Sequence, residues 1–264
     1  MDCEKPPECK ELRLSVSKVK TFDQCRRKYY YQYILKLPTS KNQYNALGSM
    51  VHLLLELMFK KWIASKYEAS LPELLREAWF ESQDSEEVTE ATKYAVLDDA
   101  KGYAKQYCLH YLANEVSKPV QCEPKFELPI QIGPSLRIRI KGFIDRIDKI
   151  GERKYIILDY KTNGSAKYLD DFQLGIYIAA CLAGPYAGCS FDAAYILLKL
   201  NNDLKHMKNP NELYKKQVDK MVDFAIKIEE AETRQIFPPK PGPLCGFCEF
   251  KMKCMADTGG ADRW

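Results

Sequence analysis

The sequence predicts an α/β protein in which a mixed β-sheet is flanked by helices. Two observations support this fold class. Short segments rich in β-branched and aromatic residues occupy the middle of the chain, and longer charged or apolar segments with helical periodicity surround them. The predicted strands are residues 120–132, 136–148, 154–161 and 191–199, with turns at Gly133-Pro134 and Gly151-Glu152. A predicted helix at residues 168–182 separates the last two strands.

Helical periodicity also appears before and after the strands. Ser15 is a typical N-cap residue and begins a predicted helix of residues 16–35. A loop containing Pro38, Asn42 and Asn45 is expected to lead to the segment 48–52 and an apolar helix. Residues from about 60 to 115 are predicted to form a helical insertion, and residues 211–234 a long charged helix. The tail after Pro238 is rich in turn residues, so we expect it to be irregular.

Composition bounds the function only loosely. The 264 residues can bury a full core, and the formal net charge of +4 is too small to indicate nucleic-acid binding by itself. The N-terminus lacks an apolar leader, and no segment approaches the ~18 apolar residues of a membrane span. We therefore expect no membrane association and a cytoplasmic protein, or one of the host cytoplasm if a phage encodes it.

The main chemical signal lies in two neighbouring predicted strands. The first contains Gly142 and Asp145, and the second ends in Asp159-Tyr160-Lys161. Because side chains alternate along a strand, Asp159 and Lys161 share one face and Tyr160 lies on the other. Carboxylates that converge in this way suit Mg²⁺ or Mn²⁺, and a cation there would polarise a phosphate and activate a water. Taken singly, the same charges are typical of exposed strand ends with ion pairs.

Other polar residues fall at suggestive spacings. His52 follows Gly48 by four residues, although a lone histidine on an apolar helix is more often a packing or surface residue. Gln173 and Tyr177 are also four apart, which places them on one face of a helix. An ordinary amphipathic helix would show the same spacing. Glu123 and Glu127 precede the Asp145 strand, and either could approach the site, but we assign neither of them to it.

The cysteines suggest a second centre. Cys245, Cys248 and Cys254 form a C-x₂-C-x₅-C pattern, whose close thiolates suit a metal or a cluster in a reducing compartment. A tetrahedral site needs a fourth ligand, and Zn²⁺ and iron–sulfur clusters are both compatible with four thiolates. Cys108, Cys122, Cys181 and Cys189 are expected to be packing residues, whereas Cys3 and Cys9 stay unassigned.

Basic and aromatic residues alternate between Arg26 and Tyr33, including Lys28 and Tyr30. Such a stretch could bind single-stranded DNA through phosphate contacts and base stacking. It could equally be a helix with a buried tyrosine face and a solvated basic face.

Together, these motifs resemble the PD-(D/E)XK nuclease superfamily, in particular its RecB-like iron–sulfur branch, which includes the AddB-type and CRISPR-associated exonucleases. The resemblance extends from Ser15 to Cys254 and depends on the order of the motifs. One departure is Asp159, where the family frequently has Glu. The fold that it implies is a restriction-endonuclease-like sheet with flanking helices, as a single domain over residues 1–264 whose cluster-bound tail spans about 238–256.

The resemblance also implies roles for individual residues. Asp145, Asp159 and Lys161 would be catalytic, and the metal would be held by His52, Asp145, Asp159 and the main-chain carbonyl of Tyr160. Cys25 would join the three late cysteines around a [4Fe-4S] cluster, which the family context favours over Zn²⁺. Gln173, Tyr177, Arg26 and Tyr30 would contact DNA.

The expected activity is exonucleolytic hydrolysis of single-stranded DNA, with 5′ to 3′ polarity suggested by the nearest families. Two alternatives stay open: a structure-specific endonuclease or flap trimmer, and a non-catalytic adaptor that holds DNA ends. The substrate would be single-stranded DNA or DNA ends, and partners could be a CRISPR integrase or recombination proteins. The sequence has no phosphate-loop motif, so any unwinding would require a partner. CRISPR adaptation, phage recombination and DNA repair all remain possible settings.

Overall fold

The computed structural model describes residues 9–39, 42–114, 117–167 and 169–259. It contains eight strands within these ranges: β1 (Lys10–Leu14), β2 (Lys118–Cys122), β3 (Lys125–Ile132), β4 (Leu136–Phe143), β5 (Arg146–Gly151), β6 (Lys154–Lys161), β7 (Ser190–Leu197) and β8 (Asp203–His206). The α-helices in the same ranges are α1 (Val16–Gln24), α2 (Arg26–Tyr29), α3 (Gln43–Ala64), α4 (Leu71–Glu81), α5 (Glu86–Lys93), α6 (Leu97–Ala113), α7 (Phe172–Ala183), α8 (Pro210–Arg234) and α9 (Lys251–Thr258). A π-helical turn at Tyr30–Ile34 follows α2, and a 3₁₀ turn at Pro243–Phe247 precedes α9. No helix within the described ranges has both the length and the apolar character needed to cross a bilayer.

The chain divides into two compact units. The first combines the described residues up to 39 with 127–142 and those from 218 onward, and the second combines residues 42–126 with 143–217.

The second unit contains a five-stranded mixed sheet in the order β2-β5-β6-β7-β8. The central strand, β6, runs parallel to β7, with Lys161 opposite Leu197, and antiparallel to β5. Apolar residues of β6 and β7 pack together with the insertion helices in one core. Its buried members include Leu54, Met58, Phe59, Ala104, Ile156, Leu158 and Ile196. The sheet therefore holds the Asp159-Tyr160-Lys161 strand rigidly between neighbours.

The first unit is organised around a smaller sheet in the order β1-β4-β3. β1 pairs in parallel with β4, with Lys10 opposite Leu136. Ser15 caps α1 by accepting a hydrogen bond from the Lys18 amide, as the sequence predicts. A small buried cluster of Tyr31, Phe250 and Cys254 ties the N-terminal helices of this unit to its tail.

The mixed α/β class is confirmed, and several boundaries are corrected. The predicted helix of residues 16–35 breaks at Cys25, whose extended backbone (φ −162°) separates α1 from α2. The predicted loop around Asn45 is already helical, because Asn42 caps α3 by accepting from the Asn45 amide. Two predicted long strands are each two strands in different sheets, split at Glu123 and at Asp145.

Three further boundaries differ from the sequence prediction. β1 and β8 were not predicted, because each is short and polar. The tail is partly helical rather than irregular, as α9 shows. The helix predicted from residue 168 begins at Phe172, and residue 168 lies outside the described residues.

Candidate active site

β6 places its last three side chains on alternating faces. Lys161 forms an ion pair with Asp159 on one face, and Asp159 is 1% exposed. On the other face, the hydroxyl of Tyr160 accepts a hydrogen bond of 2.9 Å from the buried guanidinium of Arg146. The alternation predicted from the sequence is therefore confirmed, and the charged face of the strand is buried, where a charge is costly unless it has a partner.

Asp145 reaches the same strand from a bend between β4 and β5. Its Oδ2 accepts a hydrogen bond of 2.7 Å from the main-chain N–H of Tyr160. This bond fixes the Asp145 carboxylate directly beside the strand that ends in Asp159 and Lys161.

His52 approaches from α3. Its Nε2 lies 3.0 Å from the main-chain carbonyl oxygen of Tyr160, and its Nδ1 lies 3.4 Å from Asp145 Oδ2. Gly48, one turn earlier, packs α3 closely against the loop after β6, since a methyl group there would lie 3.4 Å from Thr162 Oγ1. The structure thus brings together His52, Asp145 and the Tyr160 carbonyl, three of the groups singled out in the sequence.

Glu123 also belongs to this cluster, and the sequence reasoning missed it. One ligand atom from each of His52, Glu123 and Asp145 lies within 4.8 Å of the other two. Glu123 sits in the turn between β2 and β3 with φ of +51°, and its N–H donates to the carbonyl oxygen of Asp145. The only feature of the sequence that could have indicated its role is an acidic residue before a proline, in the turn Cys122-Glu123-Pro124.

The electrostatics of the cluster favour a cation. Burial, and then the neighbouring charge of Asp159, raise the pKa of Asp145 well above its usual value. Burial and then the charge of Asp145 raise the pKa of Glu123 to about 7. Burial lowers the pKa of His52 and favours its neutral form, which is the form that binds metals. One imidazole nitrogen and several carboxylate oxygens form a donor set that fits a divalent ion.

Gln173, in the first turn of α7, connects the acid and the lysine. Its Nε2 donates to Asp159 Oδ1 at 2.8 Å, and its Oε1 accepts from Lys161 Nζ at 3.4 Å. The same Nε2 also donates to the hydroxyl of Tyr177 at 2.6 Å. Tyr177 is buried and packs edge-on against Phe126. Gln173 and Tyr177 therefore orient residues of the site, and their predicted contact with DNA stays a prediction.

The four cysteines predicted to bind a cluster line one cavity within the first unit. The cavity is also lined by four cations and two aromatic rings: Arg27, Lys28, Lys240, Lys251, Tyr31 and Phe250. Burial, and then the proximity of Cys25, raise the pKa of Cys254. Four cysteine sulfurs at one cavity fit a bound metal ion or an iron–sulfur cluster, and the surrounding cations would offset the negative charge of the ligated thiolates.

The remaining described cysteines lie elsewhere. Cys108, Cys122 and Cys181 are buried, and burial raises their pKa to about 11, 12 and 12. They are therefore protonated packing residues, as predicted. Cys189 is half-buried and Cys9 is exposed, whereas Cys3 lies outside the described residues.

The stretch from Arg26 to Tyr33 contributes mainly to packing. Tyr29 and Tyr31 are fully buried, and the ring of Tyr30 stacks on Phe237 with centroids 4.9 Å apart. The guanidinium of Arg26 lies 5.1 Å from the ring centre of Phe22. The buried tyrosine face is thus present, and DNA binding by Arg26 and Tyr30 stays a prediction.

Comparison with known families agrees with this geometry. The family model described as the PD-(D/E)XK nuclease superfamily matches residues 13–255. The chain belongs to the PD-(D/E)XK nuclease superfamily. It is therefore a nuclease, and the acids, the lysine and the histidine described above form its candidate catalytic centre.

Relatives within this superfamily include one of the subunits of the ATP-dependent helicase/deoxyribonuclease of Streptococcus agalactiae, in serotypes Ia, V and III. The chain is 27% identical to each over 179 residues, which cover 64% of this chain and 16% of the relative. The chain thus spans only a small part of the length of these relatives. The predicted superfamily and the similarity to AddB-type proteins are confirmed.

A solved structure of a candidate exonuclease from Eubacterium rectale shares the fold of this PD-(D/E)XK chain. The TM-score is 0.51 at 14% sequence identity, and the match covers 94% of this chain and 93% of the other. At this identity the likeness establishes the fold.

Proposed function

We propose that this chain is a metal-dependent exonuclease that hydrolyses single-stranded DNA from the 5′ end towards the 3′ end. The observation that carries the proposal is the convergence of Asp145, Asp159 and His52 around the main chain of Tyr160, beside the ammonium of Lys161. DNA as substrate is supported by relatives named deoxyribonuclease. Single-strand preference and polarity follow from the resemblance to the RecB-like exonucleases.

The metal would be held by His52, Asp145, Asp159 and the Tyr160 carbonyl, with Glu123 as a further ligand. When bound, Mg²⁺ or Mn²⁺ polarises the scissile phosphate and lowers the pKa of an attacking water. Binding of the cation would also offset the repulsion among the carboxylates, which burial makes costly.

Lys161 contributes a positive charge from the protein to the candidate active site, in addition to that of the metal. Its Nζ would donate to a phosphate oxygen and stabilise the negative charge that develops there during hydrolysis. Gln173 holds both Lys161 and Asp159, so the ammonium stays at a fixed position relative to the acid. Because it acts through these two residues, Gln173 would serve as a positioning residue.

The second centre would be a [4Fe-4S] cluster held by Cys25, Cys245, Cys248 and Cys254, with Zn²⁺ as the competing occupant. Four thiols around one cavity, ringed by cations, support the assignment. A cluster there would join the N-terminal helices to the tail, and both units would belong to one nuclease domain, as a single family model over both suggests.

DNA contacts are proposed for Gln173, Tyr177, Arg26 and Tyr30. Arg26 lines a cavity in the first unit together with Lys227 and Lys240, which provides the positive charge that phosphate binding requires. The name of the relatives includes a helicase, which supports a helicase as a partner class, and the resemblance to RecB-like nucleases adds a CRISPR integrase or recombination proteins.

The proposal is tested with end-labelled linear and circular single-stranded DNA in Mg²⁺ or Mn²⁺. We expect the wild type to degrade the linear strand from its 5′ end and to leave circles intact. Asp159→Ala and Lys161→Ala should each abolish degradation, whereas Asp98→Ala, which removes an exposed carboxylate on α6, should not.

Three other outcomes would each contradict a different part of the proposal. Activity that survives Asp159→Ala would overturn the assigned centre. Cleavage of circles would replace the exonuclease with an endonuclease on the same site, and an inert wild type that still binds ends would favour an adaptor.

A further inference from the structure

An open groove extends from the candidate active site along α3 and the loops after β6 and β7. It has a volume of about 660 Å³, in the range of cavities that hold small organic ligands, so it has room for a nucleotide. The lining residues beyond the catalytic centre are Tyr44, Asn45, Ser49, Thr162, Asn163, Gly164, Ser165 and Lys199. All of them lie in the second unit.

The groove suits a polyanion. Lys161 and Lys199 contribute positive charge, the other polar lining groups are neutral hydrogen-bonding side chains, and none of the described lining residues has a carboxylate. Because β6 and β7 run parallel, the loops that carry Thr162 and Lys199 emerge at the same edge of the sheet as Lys161. A phosphate chain that leaves the catalytic centre would therefore pass between them.

α3 adds an aromatic surface. Tyr44, Gly48 and His52 follow one another at intervals of four residues, so they form a row along one face of the helix. The row spans about 12 Å at 1.5 Å per residue. Gly48, between the phenol ring and the imidazole, has no side chain, and the Thr162 hydroxyl of the loop after β6 packs against it.

Tyr44 lies at the edge of this groove with its side chain largely in solvent, since the residue is 64% exposed. The other tyrosines among the described residues are buried or partly buried, and Tyr29, Tyr31 and Tyr195 belong to the core. An exposed aromatic ring at the edge of a cationic groove is the arrangement by which proteins bind unpaired bases, since every base offers a flat face for stacking.

We propose that Tyr44 is a stacking platform for an unpaired base within a few nucleotides of the scissile phosphate, and that Lys199 binds a neighbouring phosphate. This inference rests on the proposed nuclease function and deepens it. Duplex DNA keeps its bases stacked on one another, so Tyr44 would select single strands. The ring would also fix how far the strand advances into the catalytic centre.

The test uses a single-stranded oligonucleotide that carries the fluorescent base 2-aminopurine near its 5′ end, with no divalent cation added. Stacking on a ring quenches this base, so binding by the wild type should quench it. Tyr44→Ala should abolish the quench and weaken binding about tenfold, whereas Tyr44→Phe should retain both. Lys199→Ala should retain the quench. Because it removes about one phosphate contact, it should also reduce the slope of binding affinity against salt concentration.

Phe80→Ala is the matched control, because Phe80 is 67% exposed and lies on α4 outside the groove lining. Binding of a blunt duplex should not change in Tyr44→Ala. This inference would be overturned, and the nuclease proposal left intact, if the wild type binds and degrades single strands and 2-aminopurine is quenched as fully by Tyr44→Ala as by the wild type. Equal losses in Phe80→Ala would overturn it as well, and a wild type that neither binds nor cuts would overturn both.

Discussion

At the scale of single residues, Glu123 couples the stability of the protein to pH. Burial and the nearby Asp145 raise its pKa from 4.5 to about 7. The folded state therefore binds a proton more tightly than the unfolded state, and the free energy of unfolding falls as pH rises between these values. We expect a fall of roughly 1–2 kcal/mol in the metal-free protein, since the group is partly exposed. Glu123→Gln should remove this contribution and leave only that of Asp145, whose pKa is also raised, as urea unfolding at pH 5 and pH 8 would show.

The control for this prediction is Glu73→Gln, an exposed carboxyl in the first turn of α4, which should retain the fall. Adding Mn²⁺ should stabilise the wild type more at pH 8 than at pH 5, because the ligands must be deprotonated to bind a cation. An identical pH profile in Glu123→Gln and wild type would contradict the assigned shift.

Arg146 makes a different kind of contribution. Its guanidinium is fully buried, lies 4.5 Å from the ring centre of Phe59, and its Nε is 2.9 Å from Asp148 Oδ1. It also donates to the hydroxyl of Tyr160, whose main chain contacts both Asp145 and His52. Arg146→Met leaves Asp148 as a buried charge without its cation, so we expect a loss of about 3–5 kcal/mol in urea unfolding.

A second substitution tests the cause of that loss. The double variant Arg146→Met, Asp148→Leu removes both charges and should recover much of the stability, because well-packed apolar residues can replace a buried pair. A double variant no more stable than Arg146→Met would mean that packing against the rings, and not the orphaned charge, causes the loss.

At the scale of elements, we expect the stability of the C-terminal tail to depend on its cysteines. The 3₁₀ turn carries Cys245 and α9 carries Cys254, and Phe250 is one of the few tail residues buried against Tyr31. So little apolar burial leaves much of the tail's stability to the proposed cluster. Cys248→Ser should abolish the visible absorption of an iron–sulfur cluster and expose the tail to proteolysis, while Cys189→Ser should do neither.

The purified wild type distinguishes the two possible occupants. Zn²⁺ has a filled d shell and gives no visible band, so colourless protein with stoichiometric zinc would overturn the iron–sulfur assignment. Loss of colour in Cys189→Ser would place the ligand set elsewhere.

At the scale of the whole molecule, the sequence predicted the main strands and helices better than the breaks between them. Hydrophobic periodicity correctly placed the central strand at Lys154–Lys161 and the long helix at Pro210–Arg234. It did not find the breaks at Glu123 and Asp145, because each break is only two residues long within a continuous β-rich segment. β1 was missed because its strand partner lies far along the chain, which local pattern cannot reveal.

The candidate site was also predicted only in part. The order of motifs was enough to single out Asp145, Asp159, Lys161 and His52, and the structure brings these four residues together. Glu123 could not be assigned because its approach depends on a turn with positive φ. The groove beside Tyr44 was also missed, since exposure of a side chain follows from the tertiary fold.

The parallel pairing of β1 with β4 affects how the protein is made. Lys10 has its partner at Leu136, so β1 cannot form this pairing during synthesis until the chain has grown past Leu136. At ordinary rates of synthesis this wait lasts on the order of ten seconds. During that time, the unpaired strand edge is open to other chains. We expect rapid overexpression to promote aggregation through this segment, and slower synthesis at lower temperature to improve the yield of native protein.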